Sequence, residues 1–356
     1  MEDKKDYRVF IVIAIFVVYT LIAAEPIPPE TVLAVKWIRS LEAPNEKPEL
    51  TEDSVLTPFE LGDNFGFVER DGQIVLNEKK KGYLSMSSNR FAEYYGEAEK
   101  IEIKDTKKNL IFTMNNLQAY PFFLQDRNFM VHKEQNCISE LDNEGNILWT
   151  YFFSSAITCV DASQEFLVCG TLDGTVFLLN KKGALEYSYE PSGSRIACIY
   201  GCAISKDGTK FAVISGIDKQ RFVFFEYSLS SWRVRSHEFL DEGFRRPVNI
   251  LFINNDTRIA YERENAVGIY EIEKRKTFKV PIKDRIEYIS CASDDSLLFL
   301  VSGNGSDQKT FTAIKEPQTT IISAPFTSKN SFLSVEGKNI VLGGNSNLSS
   351  FEIVKK

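Results

Sequence analysis

Residues 165–180 read EFLVCGTLDGTVFLLN. Two apolar runs flank Asp173-Gly174, a dipeptide that tolerates the positive φ of a tight hairpin. The runs are rich in the β-branched and aromatic residues that suit a pleated, half-buried surface. The stretch therefore predicts two antiparallel strands. Upstream, Ile157-Thr158-Cys159 and a polar turn over 161–164 supply a strand before them.

The same order recurs on both sides of this stretch. Ile196-Ala197-Cys198 and the turn Lys206-Asp207-Gly208 lead to KFAVISGIDKQRFVFFEY (210–227). Val248-Asn249-Ile250 and Asn254-Asn255-Asp256 lead to RIAYERENAVGIYEIE (258–273). Ile289-Ser290-Cys291 leads to LLFLVSGNGSDQKTFTAIKE (297–316), and 331–335 leads to NIVLGGNSNLSSFEIVKK (339–356). Fainter copies occupy 121–151 and 65–95. A period near 40 residues built from short strands marks a repeat array. Units starting near 65, 121, 157, 196, 248, 289 and 331 predict an all-β fold, a seven-bladed β-propeller over 54–356. The last unit lacks an outer strand, and 54–61 (SVLTPFEL) is expected to supply it, since an open array would expose an edge.

The chain ahead of the array is different. Residues 9–24, VFIVIAIFVVYTLIAA, carry no charge; Lys4, Lys5 and Arg8 precede them, and no Lys or Arg follows until Lys36. Residues 1–25 are expected to be a transmembrane helix or a signal segment cut after Ala24. That places the protein in the inner membrane, single-pass, with its C-terminal domain periplasmic, or else secreted. Residues 26–53 form a Pro-rich linker. Within it Ala34, Trp37, Ile38 and Leu41 recur at the spacing of a short amphipathic helix over 31–43, docked on the domain or lying at the bilayer.

Composition excludes several functions. With 42 Lys and Arg against 49 Asp and Glu, a net charge of −7, the chain has no nucleic-acid footprint. Two histidines, His132 and His237, have no nucleophile motif beside them, and no Gly-rich loop opens a helix. No catalytic, metal or cofactor site is expected, and the reading leans away from an enzyme. The six cysteines suit small buried apolar residues; a bridge from Cys159 or Cys169 and a metal site are the alternatives.

LDNEGNILWTY (141–151), GTLDGTVFLLN (170–180) and SKDGTKFAVISG (205–216) resemble the WD-repeat and quinoprotein-like β-propeller superfamily. Trp149 stands where the quinoprotein-type blade ends. The Gly-His and Trp-Asp dipeptides of WD repeats are missing, and the resemblance implies no quinone cofactor. It implies a fold, because propellers host unrelated activities.

The longest insertion, 228–247, reads SLSSWRVRSHEFLDEGFRRP. Trp232, Arg233, Arg235, Phe244, Arg245 and Arg246 are of the types enriched at interface hot spots. They form the candidate partner-binding patch; the plainer reading is an outer strand and a loop. A second aromatic stretch is NRFAEYY (89–95). The function expected is a membrane-tethered extracytoplasmic scaffold that binds a membrane-associated protein partner. The alternative is a propeller hydrolase or lyase on carbohydrate or peptide, using rim carboxylates. An enzyme should gather charged residues at one mouth of the channel, and a scaffold should expose an apolar rim.

Overall fold

The computed structural model describes residues 7–22, 31–43, 55–96, 99–115, 118–240, 243–291, 297–337 and 339–355. Contacts divide the chain into a small unit, 1–34 with 353–356, and a large one, 35–352. The small unit holds one α-helix, Tyr7–Ile22, whose side chains from Val9 to Tyr19 are exposed on every side.

The rest is β-structure in eight sheets. Blade I has Leu56–Leu61, Asn64–Glu69 and Ile74–Lys79. Blade II has Tyr83–Met86, Arg90–Tyr94, Lys100–Asp105 and Leu110–Asn115. Blade III runs Ala119–Leu124, Arg127–His132, Cys137–Leu141 and Ile147–Phe152. Blade IV runs Ile157–Ala162, Phe166–Thr171, Val176–Asn180 and Leu185–Tyr189. Blade V runs Ile199–Ile204, Lys210–Ser215, Arg221–Ser228 and Ser231–Phe239. Blade VI runs Ile250–Ile253, Arg258–Arg263, Ala266–Glu271 and Lys276–Pro281. Blade VII runs Arg285–Cys291, Leu297–Gly303, Gln308–Lys315 and Thr319–Thr327. Blade VIII pairs Ser331–Glu336, Asn339–Gly344 and Asn347–Lys355 with Thr31–Ser40 as its outer strand.

The predicted count of seven is therefore corrected to eight. Residues 65–95 are not one unit but parts of two blades, and the strands Lys100–Asp105 and Leu110–Asn115 complete blade II. The ring does close with an N-terminal strand, but not with 54–61. Thr31–Ser40, expected as a helix, is the closing strand; Leu56–Leu61 belongs to blade I. Val32, Val35 and Ile38 are β-branched, and residues 37, 39 and 41 share one face with the period of two proper to a strand. Trp37 and Leu41 are buried on that face, and Arg39 Nε donates to Gly72 O at 3.2 Å. Leu41 N donates to Ser346 O at 2.8 Å, and Lys36 pairs with Glu352 at 2.9 Å.

No helix among the described residues is long and apolar enough to cross a membrane. Sixteen residues rise about 24 Å at ~1.5 Å each, short of a hydrocarbon core of about 30 Å. The transmembrane helix and the single-pass inner-membrane placement are corrected accordingly. The cleavage site after Ala24 and the linker residues 44–53 lie outside the described residues.

The turn between third and fourth strands carries a repeated joint. Gly145 and Gly183 have φ of +87° and +75° and press on an aromatic of the preceding blade, Phe112 and Trp149. A Cβ on Gly183 would lie 2.5 Å from the Trp149 ring. Gly72, φ +91°, meets Trp37 in the same way. Blade I therefore holds the second to fourth positions of a blade. Trp149 Nε1 donates to Lys181 O at 3.1 Å, and Trp37 Nε1 to Arg70 O at 3.0 Å.

Between blades, apolar clusters do most of the joining. Val168, Val176 and Leu178 of blade IV pack on Ile199, Phe211, Val213 and Phe225 of blade V. Polar bonds add direction. Arg127 forks onto both Glu140 carboxylate oxygens at 2.7 and 2.8 Å, and its Nη1 donates to Ser163 O and Phe166 O of blade IV. Asp161 accepts from Ile204 N at 2.9 Å. All six cysteines are free thiols. Cys159, Cys202 and Cys291 lie within inner strands, whereas Cys198 precedes one.

Candidate functional site

Blade geometry gives two faces. The upper face carries the second-to-third turns and the connections between blades; the lower carries the other turns. On the upper face a cavity of about 840 Å³ opens between blades VI, VII, VIII and I. Arg246 and Asn249 reach it from the connection into blade VI, Arg285, Glu287 and Tyr288 from the start of blade VII's inner strand. Lys329 comes from the connection into blade VIII, Glu60 from the end of blade I's first described strand.

Charged groups converge here, and their pairing decides what they can do. Glu60 accepts from Lys80. Glu287 accepts from Lys309 and, at 2.7 Å, from Ser331 Oγ. Behind Arg246, the buried Glu262 takes a fork from Nη1 and Nη2 at 3.0 and 2.5 Å, and Asn249 Nδ2 donates to it at 3.2 Å. Phe244 lies 4.6 Å beneath the Arg246 guanidinium. Burial, then the charges of Glu60 and Glu287, push the Tyr288 phenol up, so it stays a neutral donor. Arg285 and Lys329 are exposed and have no ion pair among the described residues. Such a mouth presents two cationic groups, unpaired among the described residues, beside carboxylates that are already engaged. A carboxylate pair for general acid–base work would need a free, proton-bearing member.

The six patch residues do not come together. Ser231–Phe239 spans the height of blade V, so Trp232 lies at the lower face while Arg246 lies at the upper mouth. Trp232 is half-buried, 5.1 Å from Phe211 and 6.2 Å from Phe166. Arg233 and Arg245 are exposed, and Arg235 donates to Glu226 at 2.7 Å. The stretch 89–95 is the second strand of blade II: Phe91 is buried and Tyr94 stacks on Tyr120. Arg285, Glu287 and Tyr288 of blade VII and Lys329 of the connection into blade VIII escaped sequence reading because they form no local motif and meet only in the folded ring. Their shared signal is position, at or just before an inner strand.

An apolar rim is present as well. The outer strand of blade III exposes Ile147, Leu148 and Phe152, the last at 73%, and blade II's exposes Leu110 and Ile111.

A family model described as a beta-propeller protein matches residues 1–356. A protein of Treponema pallidum (strain Nichols), described only as uncharacterized, is 25% identical over 293 residues, 79% of this chain and 77% of that one. Among solved structures, BamB from Moraxella catarrhalis superposes with a TM-score of 0.60 at 11% identity, covering 90% of this chain and all of that one. The computationally designed Ika8 protein gives 0.60 at 13%, covering 85% and 97%. A chain of the Mitotic Checkpoint Complex gives 0.56 at 13%, covering 91% and 99%. At such identities the likeness is one of fold.

Proposed function

We propose, from the premise that this chain belongs to the β-propeller protein family, that it is a protein-interaction scaffold whose upper mouth docks an acidic segment of a partner. Its blades are nearest the quinoprotein type in this reading, on the strength of Trp149 and its joint to the next blade. One observation carries the docking site: the carboxylates lining the mouth are held by Lys80 and Lys309, while Arg285 and Lys329 have no ion pair among the described residues. Cations left free beside satisfied anions make a field that steers and orients an anionic segment. Arg246 on its Phe244 platform, with Arg245 beside it, forms one border of that field.

The test is photo-crosslinking in cells from a reactive residue at position 329, with a control at position 102 on blade II. Capture of one discrete protein with an acidic segment is expected from 329 alone. It should fall at least about tenfold in Arg285→Glu and with rising salt, since an exposed charge contact is screened over ~8–10 Å. Capture unchanged by Arg285→Glu sinks the proposal. Turnover of a glycan or peptide library by the purified chain would favour the hydrolase reading instead.

A further inference from the structure

On the lower face, blades IV and V enclose a second cavity of about 460 Å³, within the span of about 300–1,000 Å³ usual for small-ligand sites. Phe166, Tyr227 and Trp232 are its aromatic wall. Trp232 meets Phe166 at 88° and Tyr227 at 60°, so the rings form a corner rather than a flat stack. Tyr227 is 49% exposed. The polar wall holds Glu165, Glu186 and Asp207 against Lys181 and Lys182.

The three indoles differ in one respect. Those of Trp37 and Trp149 donate to carbonyls of the following blade. Trp232 Nε1 has no acceptor among the described residues, and its ring turns back towards Phe166 and Tyr187 of blade IV. Lys182 also has no ion pair among them, while Lys181 stands 3.8 Å from Glu165. A donor on an aromatic corner wants an acceptor on a ligand with an apolar face.

The lining suits one class of ligand. An anion would face three carboxylates. A basic side chain would face two lysines and leave the indole N–H without an acceptor. A neutral sugar ring has an apolar face for the aromatic corner and hydroxyls that both accept and donate. We propose that this cavity is a binding site for a neutral saccharide, with Trp232 as stacking platform and donor. It lies on the opposite face from the proposed protein-docking mouth, and the two stand or fall separately.

The test is isothermal titration of the full chain with cellobiose, maltose and N,N′-diacetylchitobiose, each to about 10 mM, a range that detects millimolar Kd values. Saturable binding of at least one is expected. Trp232→Ala should weaken it more than about tenfold, and Trp232→Phe, which keeps the stack but loses the N–H, by about three- to tenfold. Arg285→Ala should leave it unchanged. If Trp232→Ala fails to fold by circular dichroism, Trp232→Phe and Tyr227→Ala serve. Binding of none of the three sugars overturns the proposal. So does equal affinity in the Trp232 variants, or binding of arginine methyl ester where the sugars give no heat.

Discussion

Arg127 illustrates how a single buried charge ties neighbouring blades. Its guanidinium satisfies Glu140 within blade III and two carbonyls of blade IV, and Trp149 Nε1 donates to the same Glu140 at 2.8 Å. Removing one partner strands the other in a dry site. Arg127→Leu is expected to cost about 3–5 kcal/mol, and the double change with Glu140→Leu clearly less; denaturant titration of both variants checks this. Asp161 gives a pH signature. Burial, against hydrogen bonds from Ile204 N and Ala162 N, pushes its carboxyl up to about 6. An unfolded Asp titrates near ~3.9. Between about pH 4 and 6 the unfolded chain releases a proton that the folded one keeps, so stability falls as pH rises through that window and is level above it. The residue retains some solvent access, so the roughly 3 kcal/mol that this shift represents is an upper figure. Melting curves of the wild type and Asp161→Asn from pH 4 to 7 should diverge across this interval, the wild type losing ground; parallel curves would refute the assignment. Asp161 was legible as a turn residue, but its contact with the next blade was not, since the partner lies 43 residues on.

Among the elements, the closing strand is the one whose local pattern misleads. Ala34, Trp37, Ile38 and Leu41 fit a helical stripe, yet Ala34 and Ile38 are exposed and only Trp37 and Leu41 are buried. Tertiary pairing overrides the apparent periodicity, because Asn347–Lys355 offers an open edge and Gly72 offers a seat for the indole. Trp37→Ala removes a buried aromatic from the blade I–VIII core and a hydrogen bond to Arg70 O. A loss of about 3–5 kcal/mol is expected, with a larger drop in melting temperature than for Trp232→Ala, whose ring is half-buried. Similar drops would mean that Trp37 does not hold the closure. By contrast, the strands of blades IV to VII were readable, because strong hydrophobic alternation and Asp-Gly or Asn-rich turns agree there.

For the whole molecule, the repeat was legible and its count was not. Blade I contributes only three described strands, so the first spacing is shorter than the rest and two blades merge into one apparent unit. The mouth was illegible for a related reason: a ring brings together residues as distant as Glu60 and Lys329, and no linear window contains both. Closure by Thr31–Ser40 has a consequence for synthesis. Its pairing partner, Asn347–Lys355, is made after every other described strand of the ring. At ~5–20 residues per second a ribosome needs roughly 15–60 s to travel from one to the other. Throughout that delay the nascent chain carries an unmatched ribbon ahead of its finished blades, a hydrogen-bonding edge that a holding chaperone could cover.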